Sequence, residues 1–114
     1  MNNKHLITAG LLAGIALFAS QTVVAADGKS VFASNCASCH GSNGQGTPGL
    51  APALKGDKFV TGKLEDVMDT VKNGRAGDQK KFKDLPIAMP AWGKQLSEAD
   101  LKAVVDYIRG DLQK

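Results

Sequence analysis

Cys36-Ala37-Ser38-Cys39-His40 brings two thiols and an imidazole into five consecutive residues of a 114-residue chain. A Cys-x-x-Cys-His run is the attachment pattern for c-type haem: the thiols add to the porphyrin vinyl groups and the adjacent imidazole ligates the iron from one face. The spacing has a physical reason. Two intervening residues let one turn of chain carry both sulfurs to the ring edge, and the next residue then lies beneath the metal. Cys36 and Cys39 are therefore expected to carry the thioethers of one covalent haem c, and His40 to be an axial iron ligand. Three rival readings are weaker. A thioredoxin-like redox pair needs a surrounding strand–helix–strand pattern, and none is found here. A zinc site needs about four ligands, yet His5 is the only other Cys or His in the chain. A disulfide between residues three apart would constrain little chain.

The residues before this run read as an export signal. Met1 to His5 is a short polar start with Lys4, Leu6 to Ala19 is an almost unbroken apolar stretch without charge, and Val23-Val24-Ala25-Ala26 supplies small residues. Residues 1–25 are expected to be cleaved as a signal peptide after Ala25, with a cut after Ala26 almost as good, leaving residues 26–114 as the working domain. The apolar stretch is shorter than the ~20 residues of a spanning helix, and Gly10 and Gly14 weaken it further, so stable membrane insertion is not expected. The first cysteine lies far beyond it, which disfavours a lipoprotein. Cleavage removes His5 and leaves His40 as the single histidine, so two histidines of one chain cannot both hold the iron. Haem c is attached outside the cytoplasm, and motif and signal together point to the periplasm.

Composition narrows the rest. With 43% apolar and 22% charged residues the chain is globular. Aromatics are only 5%, and so small a core usually needs a disulfide, a metal or a cofactor to complete it. A net charge of +3 with only two arginines, Arg75 and Arg109, does not suit a nucleic-acid binder.

Periodicity predicts an all-α domain. Asp27 can cap a first helix running to about Cys36, with Val31 and Phe32 facing inward. Ser42 to Gly56 is rich in Gly, Pro and Ser and reads as loop. Leu64, Val67, Met68 and Val71 form an apolar helical stripe, ended at Asn73-Gly74. Gly77 to Gly93 is aperiodic. Ser97-Glu98-Ala99-Asp100 resembles a capping box with Asp in the last place, and Leu101, Val104, Val105, Ile108 and Leu112 supply the stripe of a final helix. No stretch alternates at period two.

These residues together resemble class I cytochrome c, the small soluble monohaem carriers. Gly28 and Phe32 precede Cys36 at that family's spacing, Val104 and Tyr107 match the partner positions on its C-terminal helix, and Met89-Pro90-Ala91-Trp92-Gly93 followed by Leu96-Ser97-Glu98-Ala99-Asp100-Leu101 is similar to the end of small bacterial and photosynthetic members. The likeness runs from Gly28 to about Leu112. It implies three to four helices wrapped around one covalent haem, with Tyr107 packed over Gly28. It also implies that the Pro52 carbonyl, in Ala51-Pro52-Ala53-Leu54, accepts from the ring of His40, and that Leu54 packs against the haem. The chain departs from mitochondrial-type members in its shorter loops and in a tryptophan that follows the methionine.

The sixth iron ligand is sought among Met68, Met89, a lysine, or no protein group. Met68 lies on a helical apolar stripe, where methionine is usually core filler. Met89 lies in aperiodic chain beside Pro90, where a stiffened loop can hold a sulfur against metal, and the resemblance places the axial methionine in such a segment. Iron held by His40 and Met89 has no open site, so single-electron transfer between periplasmic donor and acceptor proteins, by a monomer, is the expected activity. The alternatives are a haem subunit of a larger oxidoreductase and, with less support, an open-site haem enzyme or gas binder, which would need a distal acid–base residue. Lys80, Lys81 and Lys83 before Met89 and Lys94 after it could ring the haem edge around Ala88, Pro90, Ala91 and Trp92, suiting partners with an acidic docking surface. Asp78 and Asp84 dilute that cluster, and solvated lysines are its plain alternative.

Overall fold

The computed structural model describes residues 10–20 and 26–114. The expected cleavage region, residues 21–25, lies outside the described residues. Residues 10–20 form no helix, and their Leu11, Leu12, Ile15, Leu17 and Phe18 side chains are exposed. No helix among the described residues is long and apolar enough to cross a membrane.

Four helices make up the domain: α1 Gly28–Asn35, α2 Ala37–His40, α3 Leu64–Asn73 and α4 Glu98–Arg109. Among the described residues there is no strand, only the isolated bridges Thr47–Ala51 and Arg75–Met89. The buried core joins Val31 and Phe32 of α1 to Val67 and Val71 of α3 and to Leu101, Val104, Val105 and Ile108 of α4.

The crossing of α1 on α4 depends on a missing side chain. A Cβ at Gly28 would run into the carbonyl oxygen of Ala103 and stand 2.9 Å from Cβ of Tyr107. The two backbones therefore touch where only hydrogen can fit between them. Phe32, one turn on, packs its ring against Tyr107 with centroids 5.5 Å apart and planes tilted by 55°, an arrangement aromatic pairs favour.

Local chemistry sets the ends of these helices. Ser97 caps α4 as expected, its hydroxyl accepting from the Asp100 N–H at 3.1 Å. Asp100 does not complete the box; its carboxylate instead accepts the N–H of Ala26 at 2.9 Å and ties the start of the domain to α4. Asp27 occupies the cap position of α1, but its side chain caps no backbone N–H and accepts only the Ser30 hydroxyl, at 3.4 Å. α3 begins at Leu64, which is exposed rather than part of the buried stripe. α4 ends at Gly110, so Leu112 reaches the core from a separate short turn, Asp111–Gln113.

That C-terminal turn also holds the long loop. Gln113 donates to the carbonyls of Leu54 (3.1 Å) and Ile108 (2.8 Å) and accepts the Gly56 N–H at 2.7 Å. Arg109 donates to the carbonyls of Val60 (3.2 Å) and Gly62 (2.6 Å). Gly28→Ala should lower the melting temperature by several degrees, since forcing atoms into a packed crossing costs ~1–3 kcal/mol. Thermal denaturation followed by circular dichroism reads this directly, and an unchanged midpoint would refute the close crossing.

Candidate haem site

Cys36 breaks the first helical stretch and by doing so assembles the site. Its N–H still bonds to Phe32 O at 2.9 Å, while its own carbonyl accepts from both Cys39 (3.2 Å) and His40 (2.9 Å). Cys36 to His40 is thus one tight turn, and Cys36, Cys39 and His40 all line a single cavity of about 430 Å³. That volume is within the ~300–1,000 Å³ usual for ligand sites.

His40 is oriented by the loop that follows it. Its Nδ1 lies 2.8 Å from the carbonyl oxygen of Pro52. A carbonyl only accepts, so Nδ1 carries the proton, and Nε2 of the neutral ring presents a lone pair. Pro52 is in turn placed by backbone bonds: Gly46 N–H to His40 O at 2.7 Å, the two-way Thr47–Ala51 pair at 3.0 and 3.1 Å, and Leu54 N–H to Gly44 O at 2.8 Å. Leu54 is half-buried and lines the cavity, along with Leu50 and Ala51.

Met89 reaches the same cavity from the far side of the sequence. Its N–H donates to Arg75 O at 2.9 Å and its carbonyl accepts Arg75 N–H at 3.0 Å. Gly74, the residue that ends α3, has φ +70°, and a Cβ there would stand 2.7 Å from the Pro90 carbonyl carbon. Both the left-handed backbone and the contact require glycine. Met68 packs against the core but is not among the residues lining the cavity; Val67, Thr70 and Val71 of α3 are. Trp92 lines the wall beside Met89 and Pro90.

The rival readings of the motif fare poorly in this geometry. No group of three His, Cys, Asp or Glu among the described residues could hold a metal ion. Burial first, and the neighbouring Cys39 second, push the Cys36 thiol up to about 11. A redox-active thiol needs the opposite shift. Two thiols, an imidazole with an available Nε2, a thioether and a largely apolar wall fit a covalently held haem.

Residues 23–108 match the family described as cytochrome c oxidase, cbb3-type, subunit III. The chain belongs to this cytochrome c family. A cbb3-type cytochrome c oxidase subunit CcoP from Azospirillum brasilense is 34% identical over 78% of the chain, and a cytochrome c6 from Cladophora glomerata is 39% identical over 73% of it. The chain spans only 29% of the length of that CcoP subunit but 84% of that cytochrome c6. Among solved structures, cytochrome c6C from Synechococcus sp. PCC 7002 superposes with a TM-score of 0.55 at 27% identity, covering 75% of this chain and 94% of that one. The fold is that of class I cytochrome c, and the cofactor is covalently bound haem c.

Sequence reasoning did not single out Arg75, whose main chain pairs with Met89. Nor did it find Gly46 and Gly44, which place the Pro52 loop. The only signal nearby was Asn73-Gly74, read as a helix stop alone. Loss of the haem should be severe for this cytochrome. Without the haem the apolar lining of this cavity faces water, and a domain's whole stability is only ~5–15 kcal/mol. Cys36→Ala with Cys39→Ala should leave a largely unfolded chain. A cooperative thermal transition in that haem-free variant would show that the protein shell stands alone.

Proposed function

We propose that this cytochrome carries single electrons outside the cytoplasm, through a haem attached to Cys36 and Cys39 and held axially by His40 and Met89. The observation that carries the reading is that Met89, and not Met68, lines the cavity with His40 and both cysteines. When bound, the haem supplies a one-electron ferric–ferrous couple. The protein's part is to occupy both axial positions, exclude water and keep the surroundings constant. Thioether ligation raises the potential relative to a bis-histidine haem.

The remaining cavity groups support a carrier over an enzyme. Asp57 is the sole carboxylate among the lining residues, and its Oδ1 accepts the N–H groups of Phe59 (2.9 Å) and Val60 (3.2 Å). One of its oxygens is thus engaged in a turn, and the other, Oδ2, lies 4.0 Å from Nζ of Lys81. Residues 1–25 are proposed to be a cleaved export signal, in keeping with the exposed apolar side chains of residues 10–20. The second reading, a haem subunit of a larger oxidoreductase, is favoured by the likeness to CcoP subunits. Gel filtration of native extract separates the two, since a free carrier elutes near the mass of its own chain.

The lysines before Met89 are less available than their sequence cluster suggests. Lys80 turns its ammonium onto the Leu85 carbonyl, and Lys83 donates to Asp78 O at 3.1 Å. Lys81 sits over the rings of Phe82 and Phe59, 5.4 and 6.0 Å from their centroids, and 4.0 Å from Asp57. Even so, the side chains of Lys81 and Lys83 stay 65% and 63% exposed, beside the exposed Phe82 and Ile87. These four residues form the proposed contact for an acidic redox partner, an apolar centre beside positive charge.

Two measurements test these assignments. Met89→Ala should abolish the weak far-red Met–iron band of the oxidised protein and lower its potential, while Met68→Leu should only repack the core; exchanged outcomes would overturn the ligand assignment. Lys81→Glu with Lys83→Glu should slow electron transfer with the physiological partner about tenfold at low salt and flatten its ionic-strength dependence. Equal rates across low and high salt would leave these lysines as ordinary surface.

A further inference from the structure

The two arginines of the chain are both used as staples. Arg109 ties α4 to the Val60–Gly62 loop. Arg75 ties the last turn of α3 to itself: Nη1 donates to Gly74 O at 2.8 Å, and Nη2 donates to Thr70 Oγ1 at 2.6 Å and to Asp69 Oδ2 at 3.1 Å. Its acceptors are themselves fixed. Thr70 Oγ1 spends its proton on Asp66 O at 2.8 Å and so has lone pairs to offer, and Asp69 Oδ1 accepts from Asn73 Nδ2 at 2.7 Å. The Asn73 and Arg75 hydrogen bonds hold the Asp69 carboxyl below its usual range. It therefore stays ionised, and its bond to the guanidinium is charge-assisted.

The main chain of this same residue exchanges both of its hydrogen bonds with Met89. That bridge is isolated, with no neighbouring strand to brace it, and the loop between its two ends must be closed at an entropic cost. The left-handed Gly74 before it and the conformation of Arg75 itself set the direction in which its N–H and C=O are offered. Three side-chain bonds to residues 69, 70 and 74 fix that conformation.

On the reading that Met89 is the second axial ligand, we infer that Arg75 is its positioning residue: the guanidinium fork locks the Arg75 backbone onto α3, and that backbone holds Met89 at the cavity. A residue that merely finished α3 would stabilise the fold without affecting how firmly the thioether sits on the iron. The two roles separate under competition by a small neutral ligand.

The test is titration of the ferric holoprotein with imidazole, read in the visible spectrum. Arg75→Leu should bind imidazole about tenfold more tightly than the parent, the equivalent of one hydrogen bond of ~1.4 kcal/mol lost from the Met89 clamp. Thr70→Val keeps the guanidinium and its charge but removes the 2.6 Å acceptor; it should move the affinity in the same direction by a smaller factor, and it carries the test if Arg75→Leu does not fold. Arg109→Leu breaks the other staple and should lower the melting temperature while leaving imidazole affinity at the parental value. Parental affinity in Thr70→Val and in folded Arg75→Leu would overturn the inference, as would an equal rise in Arg109→Leu. Met89→Ala keeps the two failures distinct: if it retains the Met–iron band, the ligand assignment falls; if it loses the band while the Arg75 and Thr70 variants match the parent, only the positioning role falls.

Discussion

A cavity of about 430 Å³ lies at the centre of an 11.9 kDa chain, and every other element answers to it. The apolar residues that would fill the middle of an ordinary small domain form the cavity's walls here. Val60, Val67, Val71 and Ile108 belong both to the buried core and to the lining. The haem thus adjoins the core by position, and holding it and folding the chain are expected to be coupled. The low aromatic content fits this arrangement, because a large planar ring is supplied from outside the sequence.

The two sides of the cavity are built by different physics. The His40 side is local: a five-residue turn places both sulfurs and the imidazole, and a loop beginning at the next residue returns Pro52 to the ring. Few degrees of freedom are left to lose there. The Met89 side is assembled from chain far away, and its register depends on two backbone bonds to Arg75 and on the bare backbone of Gly74. The α1–α4 crossing at Gly28 closes the structure behind both. It positions neither ligand directly, but it fixes the start of the stretch that becomes the haem-binding turn.

This division explains what could be read from the sequence. The helices, their ends at Gly74 and Ser97, the Gly28–Tyr107 contact and the His40–Pro52 hydrogen bond all follow from short-range patterns or from the family resemblance, and they are where the structure has them. Leu64 and Leu112 show the limit of periodicity, which knows neither that the start of α3 is uncovered nor that Gly110 ends α4 before the stripe does. The lysines show another. Their spacing advertised a charged cluster, whereas a flexible ammonium goes to the nearest carbonyl, carboxylate or ring, and each of Lys80, Lys81 and Lys83 found one. Arg75 stayed hidden because its importance lies in a pairing with Met89, and a bridge between two aperiodic positions leaves no periodic trace.

The asymmetry between the two sides also bears on how a carrier should behave. A c-type haem is anchored through thioethers beside His40, so the imidazole cannot drift from the metal without the whole turn moving. On the proposed ligation the thioether of Met89 has no covalent anchor, and its hold on the iron is only as firm as the loop that brings it there. Electron transfer asks that this bond survive in both oxidation states with little rearrangement. Bracing Met89 by backbone bonds to Arg75, just beyond α3, meets that demand. The Arg75 side chain that steadies the bridge is 27% exposed, so its charge is partly solvated even though the residue lines the cavity. Rigidity is thus supplied by main-chain bonds, and the cavity keeps a largely apolar lining.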